Sequence, residues 1–122
     1  DVLDRAIAAR GLSTGACRTR NLPLVGANHV GSERFSGELP ASLVARFGAE
    51  SAAVMTSARC DRPADRVAEG IDVTRAEFEF AVTHEGALDV DDILDRRTRI
   101  GLVAADRDRA VSAAEEMLAA AR

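Results

Sequence analysis

The stretch Thr74–Ile100, TRAEFEFAVTHEGALDVDDILDRRTRI, decides the fold of this chain. Thr74 followed three residues later by Glu77 is a capping box, in which each side chain satisfies a backbone donor of the other residue. Phe78, Ala81 and Val82 follow at helical spacing, with Phe80 on a second face. A helix apolar on two sides touches neighbours on both, so this one is predicted to be central. Gly86 ends it. Asp89 can cap a second helix with Asp91 and Asp92 in its first turn and Arg96 and Arg97 in its last. That order complements the helix dipole at both ends. Val90, Ile93 and Leu94 supply its inward face.

Downstream, Ile100, Leu102 and Val103 lead into a closing helix from about Asp106 to Ala121, with Ala110, Val111, Ala114, Met117, Leu118 and Ala121 on one face. Upstream, Pro40 suits the start of a short helix that Gly48 stops, with Leu43, Val44 and Phe47 inward. Residues 50–59 form a second short helix with Ala52, Ala53, Val54 and Met55 as core candidates. Pro63 restarts the chain for a turn or two, with Val67 inward and Gly70 as its stop. These pieces are too short to be stable without tertiary packing. Residues 12–38 are rich in Gly, Ser, Thr and Asn and read as a long connection, which is usually functional or pinned to a neighbour. Before it, the first ten residues are helical in pattern and Gly11 closes them. They look like the tail of a preceding domain. The expected fold is therefore all-α, with five to six short helices in an irregular orthogonal bundle.

Composition agrees and narrows the function. One domain of 122 residues can bury a single modest core. Its apolar content is largely alanine, a strong helix former depleted in strands, and there is no Trp or Tyr. All sixteen basic residues are Arg, a pattern that codon bias in a GC-rich genome explains. A net charge of −4 argues against a general nucleic-acid binder, because such binding rests on neutralising phosphates. No apolar run approaches the roughly 18 residues that a membrane span needs. Cys17 and Cys60 are too few and too isolated for a disulfide framework or a zinc site, and are expected reduced, in the cytoplasm.

No catalytic constellation stands out. The glycines of GANHVGS (Gly26–Ser32) lack the spacing of a dinucleotide fingerprint, and His29 among them reads as a surface or turn residue. His84-Glu85 lacks the second histidine of the zinc helix motif, so His84 reads as a helix-end histidine. Asp89, Asp91, Asp92 and Asp95 lack the glycine and terminal glutamate of a calcium loop. The arginines Arg96, Arg97 and Arg99 are the sharpest polar feature, and three readings compete for them. Helix, turn and helix could form a DNA-facing helix-turn-helix, but three aspartates stand where a recognition helix would meet phosphates. The arginines could instead tie helices together through Glu85, Asp92 or Asp95, since Asp92–Arg96 and Asp95–Arg99 have the favourable i, i+4 orientation. Or they could dock another domain of the same polypeptide, since Arg suits interface ion pairs.

The run AEFEFAVTHEGALDVDDILDRRTRIGL (Ala76–Leu102) resembles the C-terminal helical domain of FAD-dependent glycerol-3-phosphate dehydrogenases, shared with the α-glycerophosphate oxidases. In that family a helix ending near an HE pair precedes an aspartate-capped helix closing in L-x-R-R-T-R. Ala76, Glu77, His84, Glu85, Asp92, Leu94, Arg96, Arg97, Thr98 and Arg99 match it, and the lead-in helix and the TRNLPLVGA-like linker (Thr19–Ala27) agree as well. The resemblance implies an enzyme that oxidises glycerol 3-phosphate to dihydroxyacetone phosphate with FAD and passes electrons to quinone or oxygen. It places the flavin and catalytic residues upstream, so no catalytic, cofactor-binding or metal residue is assigned here.

The expected organisation is a tail helix of the flavin domain at 1–11, a linker at 12–38 and a helical cap at 39–122. His84, Glu85, Asp92, Arg96, Arg97 and Arg99 are the structural or docking candidates. The implied partners are the flavin and substrate domains of the same polypeptide. Homodimerisation, and membrane association through the whole enzyme, stay open. The alternative is an independent helix-turn-helix-like module that binds DNA or a regulatory protein.

Overall fold

The computed structural model describes residues 2–16, 18–24 and 38–121; Cys17, His29 and the glycines of 26–37 lie outside them. The described residues form α1 (Val2–Ala9), α2 (Ala41–Phe47), α3 (Ser51–Ser57), α4 (Arg75–Thr83) and α5 (Ala104–Ala120). Short 3-10 turns occupy Thr19–Asn21, Gly48–Glu50 and Ile100–Leu102, and Asp92–Arg97 is a π-helical segment. No strand occurs among the described residues, where Arg66 and Thr74 make an isolated bridge. The domain is all-α.

The central helix is α4, and its N-terminus shows why the chain folds as it does. Thr74 and Glu77 form the capping box, with the Thr74 N–H donating to Glu77 Oε1 at 2.8 Å. The next free donors are met by the preceding loop: the Arg75 N–H bonds the Asp65 carbonyl at 2.9 Å and the Ala76 N–H bonds that of Pro63 at 3.0 Å. A helix end buried in the fold needs such partners. The same bonds explain a departure from the sequence reading. From Pro63 a turn or two of helix stopped by Gly70 was expected, but the chain there makes turns, with Arg62 left-handed at φ 49° and the Val67 N–H bonded to the Val73 carbonyl. Val67 still packs against the core, and Gly70 still breaks the chain at φ 76°.

Two apolar clusters flank α4. Phe78 and Ala81 face the larger one, with Ile93 and Leu94 of the π segment, Ile100, and Ala110, Ala113, Ala114 and Met117 of α5. Ala76 faces the smaller one with Leu43, Val54 and Met55, where Phe80 packs at the margin. Complete burial of Phe78 contributes on the order of 2–3 kcal/mol. Phe80 meets Phe47 edge-on, with centroids 5.8 Å apart, so the second face of α4 is an aromatic contact with α2. Leu43 lies inward as expected, whereas Val44 is exposed. Helix α1 buries no residue, and Leu22 and Leu24 also lie exposed. No helix among the described residues is long and apolar enough to cross a membrane.

After Gly86, at φ 74°, the chain enters the second element of the deciding stretch. Its cap is reciprocal: the Asp92 N–H donates to Asp89 Oδ1 at 2.8 Å, and the Leu88 N–H donates to Asp92 Oδ2 at 2.9 Å. The element was expected to be a regular helix, but it widens. The Thr98 N–H reaches back five residues to the Ile93 carbonyl at 3.0 Å, and the Thr98 hydroxyl donates to the same oxygen at 2.8 Å. Two donors from one residue on one carbonyl hold the wide turn. Wide turns of this kind are rare and frequent at functional sites.

Candidate functional site

The polar residues of the deciding stretch divide into those the fold uses and those it leaves outward. Of the charged ones Glu77 is the most deeply embedded, with 3% of its side chain exposed. Its Oε1 accepts from the Thr74 N–H and from the Thr74 hydroxyl at 3.1 Å, and both oxygens accept from Arg46, Nε to Oε2 at 2.6 Å and Nη2 to Oε1 at 2.8 Å. Arg46 also reaches the Asp72 carbonyl at 2.6 Å. The hydrogen bond that Arg46 donates to Glu77, outweighing the burial of the cation, raises the Arg46 pKa above its ordinary value. One fork therefore joins α2, the loop before α4 and the α4 cap. The cap is legible in the sequence and Arg46 is not, because nothing local links positions so far apart.

Among the sequence candidates, Asp92 and Arg96 pair as expected. The Leu88 N–H, then Arg96, hold the Asp92 carboxyl below the ordinary carboxylate range, and the Asp92 carboxylate raises the Arg96 pKa. Arg97 bonds the Glu85 backbone carbonyl rather than a carboxylate, fastening the π segment to the end of α4. Asp95 and Arg99 do not pair. Asp95 lies 3.4 Å from Arg107 Nε instead, and Arg107 also pairs with Asp91, so both carboxylates tie the π segment to α5. Arg99 stands in a left-handed conformation at φ 59°, where its carbonyl accepts the Leu102 N–H at 3.2 Å, and no hydrogen bond or ion pair holds its side chain among the described residues. His84 stacks on Phe80 with centroids 4.4 Å apart, and its Nδ1 lies 2.7 Å from the Thr83 hydroxyl.

Two hollows result. One, of about 420 Å³, is lined by Arg46, Phe47, Glu77, Glu85, Arg97, Thr98 and Arg99. It brings Glu85, Arg97 and Arg99 together and leaves His84, Asp92 and Arg96 outside. The other, of about 650 Å³, has Cys60, Glu79 and His84 in its walls. Burial there would raise the Glu79 pKa, but hydrogen bonds from Cys60 and the Arg59 N–H win and lower it. Burial, and then Glu79, push the Cys60 thiol up to about 11, so it is a poor nucleophile at neutral pH. Among the described residues no group of three or more His, Cys, Asp or Glu is placed to hold a metal ion.

The helix-turn-helix alternative finds no support. The element after the Gly86 turn is a six-residue π segment opened by aspartates, not a recognition helix. What the geometry defines is a helical module whose polar groups serve capping, cross-ties and one arginine-lined hollow.

Residues 17–121 match the family model described as the C-terminal domain of alpha-glycerophosphate oxidase, and the chain belongs to that family. It is also 66% identical over 120 residues to glycerol-3-phosphate dehydrogenase 1 of Mycobacterium bovis and of two strains of Mycobacterium tuberculosis. The match covers 97% of this chain but 23% of each relative, so the chain spans about a quarter of their length. No solved structure gives a significant match.

Proposed function

We propose that this chain is the C-terminal helical domain of an FAD-dependent glycerol-3-phosphate dehydrogenase and serves there as a structural and docking module. The 66% identity to glycerol-3-phosphate dehydrogenase 1 carries the reading. The whole enzyme oxidises glycerol 3-phosphate to dihydroxyacetone phosphate through FAD, with quinone as the acceptor, in the cytoplasm or at its membrane face. Residues 1–11 belong to the flavin domain, 12–38 link it to the cap, and 39–122 form the cap. The exposed Val2 and the lack of any buried residue in α1 support the first assignment, since an amphipathic helix folds by burying its apolar face.

The geometry supports a module without reacting groups. Among the described residues the Cys60 thiol is pushed up to about 11, His84 stacks on Phe80 at the end of α4, and the carboxylates of the deciding stretch act as caps and cross-ties. Residues 1–122 purified alone are expected to fold yet retain no flavin and leave glycerol 3-phosphate untouched. Stoichiometric FAD on the isolated chain would overturn this assignment.

A further inference from the structure

The arginine-lined hollow beside α4 holds more positive charge than the domain can use. Arg46, Arg97 and Arg99 face Glu77 and Glu85 in a molecule whose net charge is −4. Arg46 and Glu77 already satisfy each other, which leaves Arg97 and Arg99 against Glu85 alone. Arg97 uses one Nη2 donor, on the Glu85 carbonyl, and the rest of its fork is not bonded to any described residue. Arg99 has a ready intradomain partner in Asp95 by sequence spacing, yet the chain directs Asp95 to Arg107. It then holds Arg99 in a backbone conformation that residues other than Gly, Asn and Asp rarely adopt. The wide turn and the left-handed residue together carry Arg99 to the same wall as Arg97. Phe47 gives the hollow an apolar side on which a side-chain stem can rest.

We propose that this hollow seats an acidic segment from the part of the polypeptide outside this chain, with a carboxylate bridging Arg97 and Arg99. The inference rests on the docking role given above and names the face and the chemistry of the contact. Charge complementarity selects a carboxylate partner, and planar guanidinium forks are suited to it. The occupant comes from the remaining polypeptide because some three quarters of each relative's length lies beyond what this chain matches. Glu85 is the internal competitor: it lines the same hollow and its carboxylate offsets part of the positive charge.

The test uses the full-length enzyme and limited proteolysis by thermolysin between the helical domain and the rest. Cleavage there reports the undocked population when docking is fast relative to cutting. In the wild type the junction is resistant. Arg99→Glu is expected to be cut about tenfold faster, whereas Glu85→Gln, which removes the competing charge, is cut no faster than wild type. Circular dichroism confirms that both variants keep their helix content. A wild type and an Arg99→Glu enzyme that are equally resistant would overturn the hollow as the contact while leaving the docking role intact. A wild-type junction cut as fast as an untethered linker would overturn the docking role itself. Glu33 is an acidic residue of the 12–38 connection, and Glu33→Gln reproducing the Arg99→Glu result would overturn the external origin of the segment.

Discussion

Arg46 grips Glu77 with two nitrogens while the same carboxylate closes the N-terminal cap of α4. A tertiary ion pair and a local helix signal therefore share one side chain. Glu77 is almost fully buried, whereas 36% of the Arg46 side chain is exposed. Removing one partner of a buried pair costs about 3–5 kcal/mol, and exposure of Arg46 lowers this. Arg46→Ala is expected to destabilise the domain by about 2 kcal/mol in urea unfolding. Glu77→Ala, which also breaks the cap, should cost about 1 kcal/mol more. Equal losses would mean that the cap is not coupled to the fork.

Glu79 sets part of the acid limit of stability. Its carboxylate accepts the N–H groups of Arg59 and Cys60 at 2.8–3.0 Å, and its pKa lies below the ordinary value. A carboxyl depressed in the folded state contributes stability above its unfolded pKa and loses it as pH falls through the folded value. Stability should therefore decline from about pH 4.5 downward, with Glu79→Gln giving a shallower decline over that range. An unchanged slope in the variant would remove Glu79 from the account.

Cys60, with a thiol pushed up to about 11, should alkylate slowly at pH 7–8 and speed up as pH rises toward that value. Mass spectrometry of iodoacetamide adducts separates Cys60 from Cys17. Glu79→Gln removes an adjacent negative charge and should lower the pH at which Cys60 labelling accelerates. Fast labelling of Cys60 at pH 7 would contradict its placement beside Glu79.

Gly86 and Gly101 are constrained differently. Gly86 stands at φ 74° with open space around it, so Gly86→Ala meets only backbone strain, about 1–2 kcal/mol. At Gly101 a Cβ would lie 1.6 Å from Asp95 Oδ1. Gly101→Ala must displace that carboxylate from Arg107, loosening the tie between the π segment and α5. Because the pair is partly exposed, about 1 kcal/mol is expected, and Asp95→Ala should abolish most of the difference. An additive double variant would contradict the contact.

The deciding stretch shows which parts of this fold a sequence can reveal. Thr74 with Glu77, Gly86, Gly48 and the Asp89 cap were legible because each signal lies within a few residues of its partner. The two-sided character of α4 was legible from Phe78 and Phe80, and the structure places them in separate clusters. The widening at Thr98 was not, since it depends on how Ile93 and Leu94 meet α4 and α5. Nor was the choice of Arg107 over Arg99 by Asp95, because i, i+4 spacing names a possible partner and tertiary packing selects the real one. The loop at 62–70 failed for the same reason: its carbonyls serve the start of α4 instead of a helix of their own. At the hollow, Glu85, Arg97 and Arg99 were anticipated, while Arg46 and Phe47 arrive from α2.

The central claim is that this helical module belongs to a flavoenzyme acting on glycerol 3-phosphate. It is tested most directly by anaerobic addition of glycerol 3-phosphate to the purified full-length protein, with flavin absorbance as the readout. The account predicts bound FAD that bleaches on addition, with dihydroxyacetone phosphate formed in equal amount. A full-length protein without flavin, or with flavin that stays oxidised, would contradict it.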